Sequence, residues 1–337
     1  TAVVGTRLLV ATAPWGGSPV TIHAVDVASP AAMRTAGTMT VPGPSCAGGW
    51  RAAALPGNRL VAVDKCGRIL QRFDLSDPDR PRVVDTTPLA LPAGDVTAVP
   101  GALVVAAGDA GGVRLYSDGV SAPTPLGTLD TIGAVSCVVS AGDRVYGTHP
   151  DGGVFGIGRA AVGTVVAPEV RKPGPAGACA IVSDDRVLVA DATGGAVHVA
   201  RVDPLGDLVD LAIVETGGEV NGLAVAGDRA YIAAGDAGVF LVEPRSGEVR
   251  ATNDALRGTA IAADEAGVVV YSLNNNFTVL DPASLAVRDS RTVVSGLSAE
   301  TSALAVSGAR AYFAMGGLDI PFGFVGVHPI LQQVART

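Results

Sequence analysis

Little in this chain suits a membrane helix, a nucleic-acid surface or a familiar catalytic motif. No uninterrupted apolar run reaches the roughly 18 residues that a membrane-crossing helix needs, although 48% of the 337 residues are hydrophobic. Lysine is nearly missing: only Lys65 and Lys172 among the 24 basic residues. Against 32 acids these leave a net charge of −8, which opposes nucleic acid and anionic membrane surfaces as general partners. Arginine in place of lysine, with abundant Ala, Gly and Val, reads as the coding bias of a high-GC genome. There is no Gly-x-Ser-x-Gly elbow, P-loop, dinucleotide fingerprint or His-Glu-x-x-His zinc motif. The glycines of Gly152–Gly158 sit in a hairpin pattern and make no phosphate cradle. Because residue 1 is Thr, an upstream signal peptide or expression leader is expected to have been removed.

What is present is a repeat. Leu223–Asp236, Val138–Thr148, Ala180–Asp191 and Ala303–Ala314 each read as an apolar strand, a tight polar turn and a second strand. The residues opening the second strand are Arg7, Arg59, Ala102, Arg144, Arg186, Arg229, Gly267 and Arg310, spaced 38 to 52 residues apart. Their mean of about 43 is the period of a four-stranded propeller blade. A third strand follows at Ile22–Asp26, Ile69–Asp74, Val197–Asp203, Val239–Glu243 and Phe277–Asp281, and a fourth at Arg82–Thr86 and Glu248–Thr252. Helical periodicity is absent, which removes an α/β alternative. The expectation is an all-β chain, one β-propeller domain over 1–337. Its four-stranded antiparallel blades fall near 1–43, 44–90, 91–130, 131–172, 173–216, 217–254, 255–296 and 297–337. Eight blades follow from the count, with seven the alternative if one divergent unit serves closure. Ala2–Val4 aligns with an innermost strand and Leu331–Ala335 with an outermost one, so no strand exchange between the ends is expected.

The segments Phe73-Asp-Leu-Ser-Asp-Pro-Asp-Arg-Pro-Arg-Val-Val and Ala24-Val-Asp-Val-Ala-Ser-Pro-Ala resemble LVIVD-type propeller repeats. Tyr231-Ile-Ala-Ala-Gly-Asp-Ala-Gly-Val-Phe-Leu-Val is similar to that family's tyrosine and Gly-rich-turn core. Blades 4, 5 and 7 depart from the Ser-x-Pro element. The resemblance implies the fold and an exported bacterial protein, and it implies no particular activity. The missing Trp-Asp dipeptide sets WD40 repeats aside. Two tryptophans are too few for quinoprotein Trp docking, and no sialidase Asp box occurs.

In such a blade the loop before the inner strand and the loop after the second strand open on one face, at the channel mouth where propellers bind ligands. Loops after second strands carry Trp15, Asp64, Asp109, His149, Asp191, Asp236 and Asn274–Asn276. Starts of inner strands carry Trp50, Arg51, Asp95, Glu219, Asn221, Glu300 and Thr301. Loop aspartates otherwise cap turns through their own backbone, whereas Asp95, Glu219 and Glu300 can point into the channel. Arg51 beside Trp50 pairs an anion anchor with a stacking wall; the alternative is a plug against the first connection. Trp15, Asn221, Asn275 and Thr301 complete a candidate ligand face. Asp95, Glu219 and Glu300 are hard oxygen donors suited to Ca²⁺ or Mg²⁺, and His149 is the candidate general acid or base. His23 and His198 fall in third strands and read as structural.

Four cysteines remain. Cys46 and Cys66 flank one blade's hairpin, and Cys137 and Cys179 each stand seven residues before a marker arginine. The expected bridges are Cys46–Cys66 and Cys137–Cys179, which favour an oxidising compartment and a secreted, periplasmic or cell-surface location. The function expected is an exported, monomeric propeller that binds a small molecule, glycan or protein partner at the channel mouth. The alternatives are an enzyme of hydrolase, lyase or isomerase/cyclase type using His149, Asp95, Glu219 and Glu300, and a purely structural scaffold. Alkylation without reductant followed by intact-mass measurement is expected to leave all four thiols unmodified; four labelled cysteines would remove both bridges.

Overall fold

In the computed structural model the described backbone comprises residues 2–4, 7–12, 20–26, 34–41, 50–55, 57–64, 68–77, 80–99, 101–107, 111–119, 121–129, 134–135, 137–141, 144–149, 153–157, 169–172, 179–183, 185–191, 195–203, 207–265, 267–272, 276–292, 300–307, 310–316 and 332–335. Side chains are described within 37–40 and, with gaps, 51–290. The described strands form antiparallel sheets in chain order, seven of four strands and one of three. Sheet 2 shows the plan: inner strand Trp50–Leu55, second Arg59–Asp64, third Ile69–Asp74 and outer Arg82–Pro88, each bonded to its predecessor. The remaining sheets span 2–41, 95–129, 137–172, 179–215, 222–253, 258–292 and 300–335. Arg7, Arg59, Ala102, Arg144, Arg186, Arg229, Gly267 and Arg310 each open a second strand. Among the described residues no helix is long and apolar enough to cross a membrane.

Local chemistry makes the reversals. Between Leu55 and Arg59, Gly57 (φ 76°) and Asn58 (φ 56°) are left-handed, a conformation open to glycine and tolerated by asparagine. The last sheet departs from expectation. Gln332–Ala335 pairs directly with the second strand Arg310–Gly316, so it is the edge of the described sheet but holds the third position and not the fourth. The backbone partner of the second strand is therefore drawn from the end of the chain, and a fourth strand is not seen among the described residues.

The core lies between sheets. Second strands are buried on both sides: Ala102–Ala106 and Gly267–Ser272 have no exposed residue. Their side chains alternate between neighbours. Leu103 and Val105 pack with Val61, Val63 and Leu70 of sheet 2, while Val104 and Ala106 pack with Val138 and Val145 of sheet 4. In sheet 6, Ala230 and Ile232 meet Leu188, Val197 and Val199 of sheet 5; Tyr231 and Ala233 meet Val268 and Val270 of sheet 7. A strand sandwiched this way reads as a continuous apolar run, and each buried Val, Leu or Ile contributes about 1.5–3 kcal/mol.

Outer strands solve the opposite problem. An edge with unpaired N–H and C=O groups invites foreign strands. In each of the seven four-stranded sheets the pairing of third and outer strands slips by one residue. The outer-strand residue left over is Ala36, Val84, Leu126, Arg171, Leu211, Arg250 or Arg288. Such a bulge twists the edge out of register for pairing. The turn before the outer strand is fixed by a carboxylate. Asp74 accepts the Ser76 amide at 2.8 Å and Arg82 Nε at 2.9 Å; these bonds, the amide first, hold its carboxyl down at about 2. Asp281 accepts the Ala283 and Ser284 amides at 2.9 Å and pairs with Arg288 at 2.5 Å, which also lowers its pKa.

Polar side chains cross sheet boundaries at a few points. Arg72, 2% exposed, binds Asp85 of its own sheet through Nε at 3.0 Å and reaches sheet 3 at the Gly119 and Ser121 carbonyls. Arg59 holds Asp118 of sheet 3 at 3.2 and 3.3 Å. Farther round, the buried Tyr231 hydroxyl donates to the Pro282 carbonyl of sheet 7 at 2.9 Å. Removing one partner of a buried charge pair strands the other. Arg72→Met, which keeps the bulk and removes the charge, is therefore expected to cost about 3–5 kcal/mol in chemical denaturation, against little change in midpoint if the arginine only fills space.

Candidate functional site

The strand register decides which residues meet. Trp50 pairs with Asp64, Asp95 with Ala106, Cys137 with Thr148, Cys179 with Val189, Gly222 with Ala233, Gly258 with Ser272 and Glu300 with Gly316. The start of every one of these inner strands thus lies at the end of its second strand. Successive inner strands pack on one another from sheet 1 to sheet 8. The candidate residues are therefore carried at corresponding ends of successive sheets, and the backbone alone brings them there.

Their side chains differ in what they are free to do. Asp95 is partly buried, and its carboxylate accepts the Val138 amide of sheet 4 at 3.1 Å. One boundary residue on, Ser140 Oγ donates to the Ala98 carbonyl at 3.5 Å. Asp95 thus ties two inner strands together. Glu219 and Asn221 are exposed; the Asn221 side-chain amide donates to the Glu219 carbonyl at 3.4 Å and its backbone N–H to Ala233 at 2.8 Å. Beside them Asp236 and Arg257, both largely exposed, pair at 3.3 Å. Arg51 is exposed and sits opposite Val63. Trp50, Glu300 and Thr301 have described backbone in strands, whereas their side chains lie outside the described residues. Trp15, Asn275, Cys46 and Cys66 also lie outside them.

Two residues expected in open loops belong to strands instead. Asp64 and His149 are the last residues of their second strands, 0% and 7% exposed. Each stands five positions after its sheet's strand-opening arginine, as Ser272, 2% exposed, does after Gly267. The spacing alone does not mark them as buried, since Asp191, five residues after Arg186, lies past the end of its strand and is only partly buried. His198 behaves as a structural histidine, with Nδ1 at 3.1 Å from Asp210 of the adjoining outer strand.

Cys137 is disulfide-bonded. It and Cys179 begin the inner strands of adjacent, mutually packed sheets; the side chain of Cys179 lies outside the described residues. As for a metal, no group of three or more His, Cys, Asp or Glu side chains gathers among the described residues. Asp95 and Glu219 stand at corresponding ends of sheets 3 and 6, and of Glu300, the third candidate ligand, only the backbone is described.

Four-stranded antiparallel sheets following one another in chain order, packed face to face with their inner strands in sequence, define a β-propeller. Solved structures carry the same fold. Sqt1 from Chaetomium thermophilum, determined bound to the N-terminus of the ribosomal protein L10, superimposes with a TM-score of 0.69 at 12% identity, over 90% of this chain and 89% of that one. The β-propeller domain of Cps50 (Swd1) from Myceliophteria thermophila gives 0.59 at 13%, covering 81% and 94%. BamB from Moraxella catarrhalis gives 0.59 at 14%, covering 79% and 81%. At such identities the likeness is one of fold. No protein-family model and no curated protein sequence matches the chain.

The Asp95 bridge gives a direct expectation. Asp95→Ala leaves the Val138 amide without its acceptor and should cost about 1.5–3 kcal/mol in a denaturant melt. Asp95→Asn, which keeps an accepting oxygen, should retain most of that stability; equal losses in both would mean that the carboxylate's charge, and not the bridge, is what matters.

Proposed function

We propose that this β-propeller is an exported binding protein whose ligand is an extended segment of a protein partner, held across the sheet ends that carry Trp50, Arg51, Glu219, Asn221, Glu300 and Thr301. One observation carries the reading. The register collects these polar and aromatic residues at corresponding ends of the sheets, while the described carboxylates there are either exposed, as Glu219 is, or engaged in joining strands, as Asp95 is. Spaced recognition groups suit binding, whereas acid–base chemistry asks for groups within reach of one reacting atom. The Chaetomium Sqt1 structure supports a peptide ligand by analogy of fold alone. The net charge of −8 favours a basic segment.

The finer features belong to the same proposal. Eight blades are supported by the count of sheets, and ring closure by the strand Arg310–Gly316 lying against Arg7–Thr12. A Cys137–Cys179 bridge is supported by the disulfide at Cys137, and with it an oxidising compartment. Kinship to LVIVD repeats rests on the sequence segments at 24–31 and 73–84.

A phage-displayed random peptide library panned on the whole chain tests the reading. Enriched peptides are expected to be basic and to lose about tenfold in affinity on Glu219→Ala or Asn221→Ala. No enrichment, or peptides indifferent to both substitutions, would overturn it.

A further inference from the structure

The sheet ends proposed above are unevenly charged around sheets 5, 6 and 7. The connections at this end are residues 191–195, 216–221, 234–238, 254–257 and 273–275. They hold four acids, Asp191, Glu219, Asp236 and Asp254, and a single base, Arg257. Arg257 immediately precedes the inner strand Gly258–Asp264, the place that Asn221 holds before Gly222–Ala226. It belongs to the same row as the candidates named from the sequence, which did not include it.

These residues converge on one glycine. Gly235 is left-handed, with φ 53°, a conformation that favours glycine. A Cβ there would stand 3.2 Å from Asn221 Nδ2 and 3.5 Å from the Glu219 carbonyl. The Gly235 N–H bonds the Gly258 carbonyl at 3.2 Å, which ties a loop of sheet 6 to the start of sheet 7. Asp236 follows Gly235 and Arg257 precedes Gly258. The tie therefore brings carboxylate and guanidinium together across the seam, with Arg257 Nε 3.3 Å from Asp236 Oδ1. Both side chains stay in water, 69% exposed for Arg257 and 76% for Asp236. An ion pair so exposed contributes little to stability. Holding the fold does not account for a lone guanidinium here, and most of its donor fork is open to a second carboxylate.

We propose that Arg257 is a specificity-determining residue of this face: it binds an acidic side chain of the partner segment, while Glu219, one sheet back, binds a basic one. The inference rests on the peptide-binding reading above and narrows it. A segment of bases alone meets Arg257 as like charge within the row and is disfavoured. A segment that carries an acid near its base satisfies both groups.

The same phage-displayed random library, panned on the whole chain, on Arg257→Gln and on Glu219→Gln, tests this. Both substitutions stand at exposed positions, and an unchanged thermal melt checks the fold. Panning on the unsubstituted chain is expected to enrich peptides with Asp or Glu at a fixed spacing from Lys or Arg. Arg257→Gln should keep the base and lose the acid, and Glu219→Gln the reverse. A synthetic enriched peptide whose acid is replaced by its amide should bind the unsubstituted chain about tenfold more weakly. To Arg257→Gln it should bind as well as its parent does. Arg250→Gln, an exposed arginine on the outer strand of sheet 6, should leave both preferences in place. Enriched peptides without an acid, or an acid kept on Arg257→Gln, would overturn the role of Arg257 and leave the binding reading standing. Enrichment of nothing on any of these chains would overturn both.

Discussion

The constraint on which this structure depends is that the second strands whose side chains are described are sandwiched between neighbouring sheets. Leu103 and Val105 turn one way and Val104 and Ala106 the other, so neither face of the sheet meets water. Nothing polar can enter such a strand's middle without a partner. Chemistry is therefore confined to strand ends and outer edges.

Polar groups admitted to the sheet boundaries join one sheet to the next. Asp95 takes the Val138 amide, Arg72 reaches the loop at 119–121, and Tyr231 reaches Pro282. Apolar packing is indifferent to small slips between sheets. A carboxylate that must find one amide, or a phenol that must find one carbonyl, is not, and these contacts set how adjacent sheets are offset. The same economy explains Asp95's position at the candidate rim: a residue placed there for joining sheets looks, in sequence, like one placed there for catalysis.

The outer edges carry the second half of the design. A bulge recurs in each four-stranded sheet, and a turn-capping carboxylate recurs before several outer strands. Asp74 and Asp281 each bind both a turn amide and an outer-strand arginine. One residue thus shapes the reversal and fixes a charge on the edge that follows. Sheet 5 keeps the bulge at Leu211 and has no arginine on its outer strand.

Much of the fold was legible in the sequence because a repeat of about 43 residues states the same local instruction again and again. Each strand-opening residue, from Arg7 to Arg310, stands where a second strand begins, since turn chemistry and β-branched runs act over a few neighbours. Which residues share a sheet end followed as well, because antiparallel register is fixed by the turn between two strands. The chain's end was not legible in this way: Gln332–Ala335 pairs with a strand more than 15 residues upstream, and no local rule chooses that partner. Nor were the fates of side chains. Asp64 and His149 look like loop residues and are buried, while Asp95 looks like a free carboxylate and is bonded across a boundary. The sequence by itself determined the strands, their order and their pairing within a sheet, which are decided by contacts near in the chain. Only the tertiary structure decided which polar groups remain open to a ligand, because that depends on the neighbouring sheet, some 40 residues away, packed against each face.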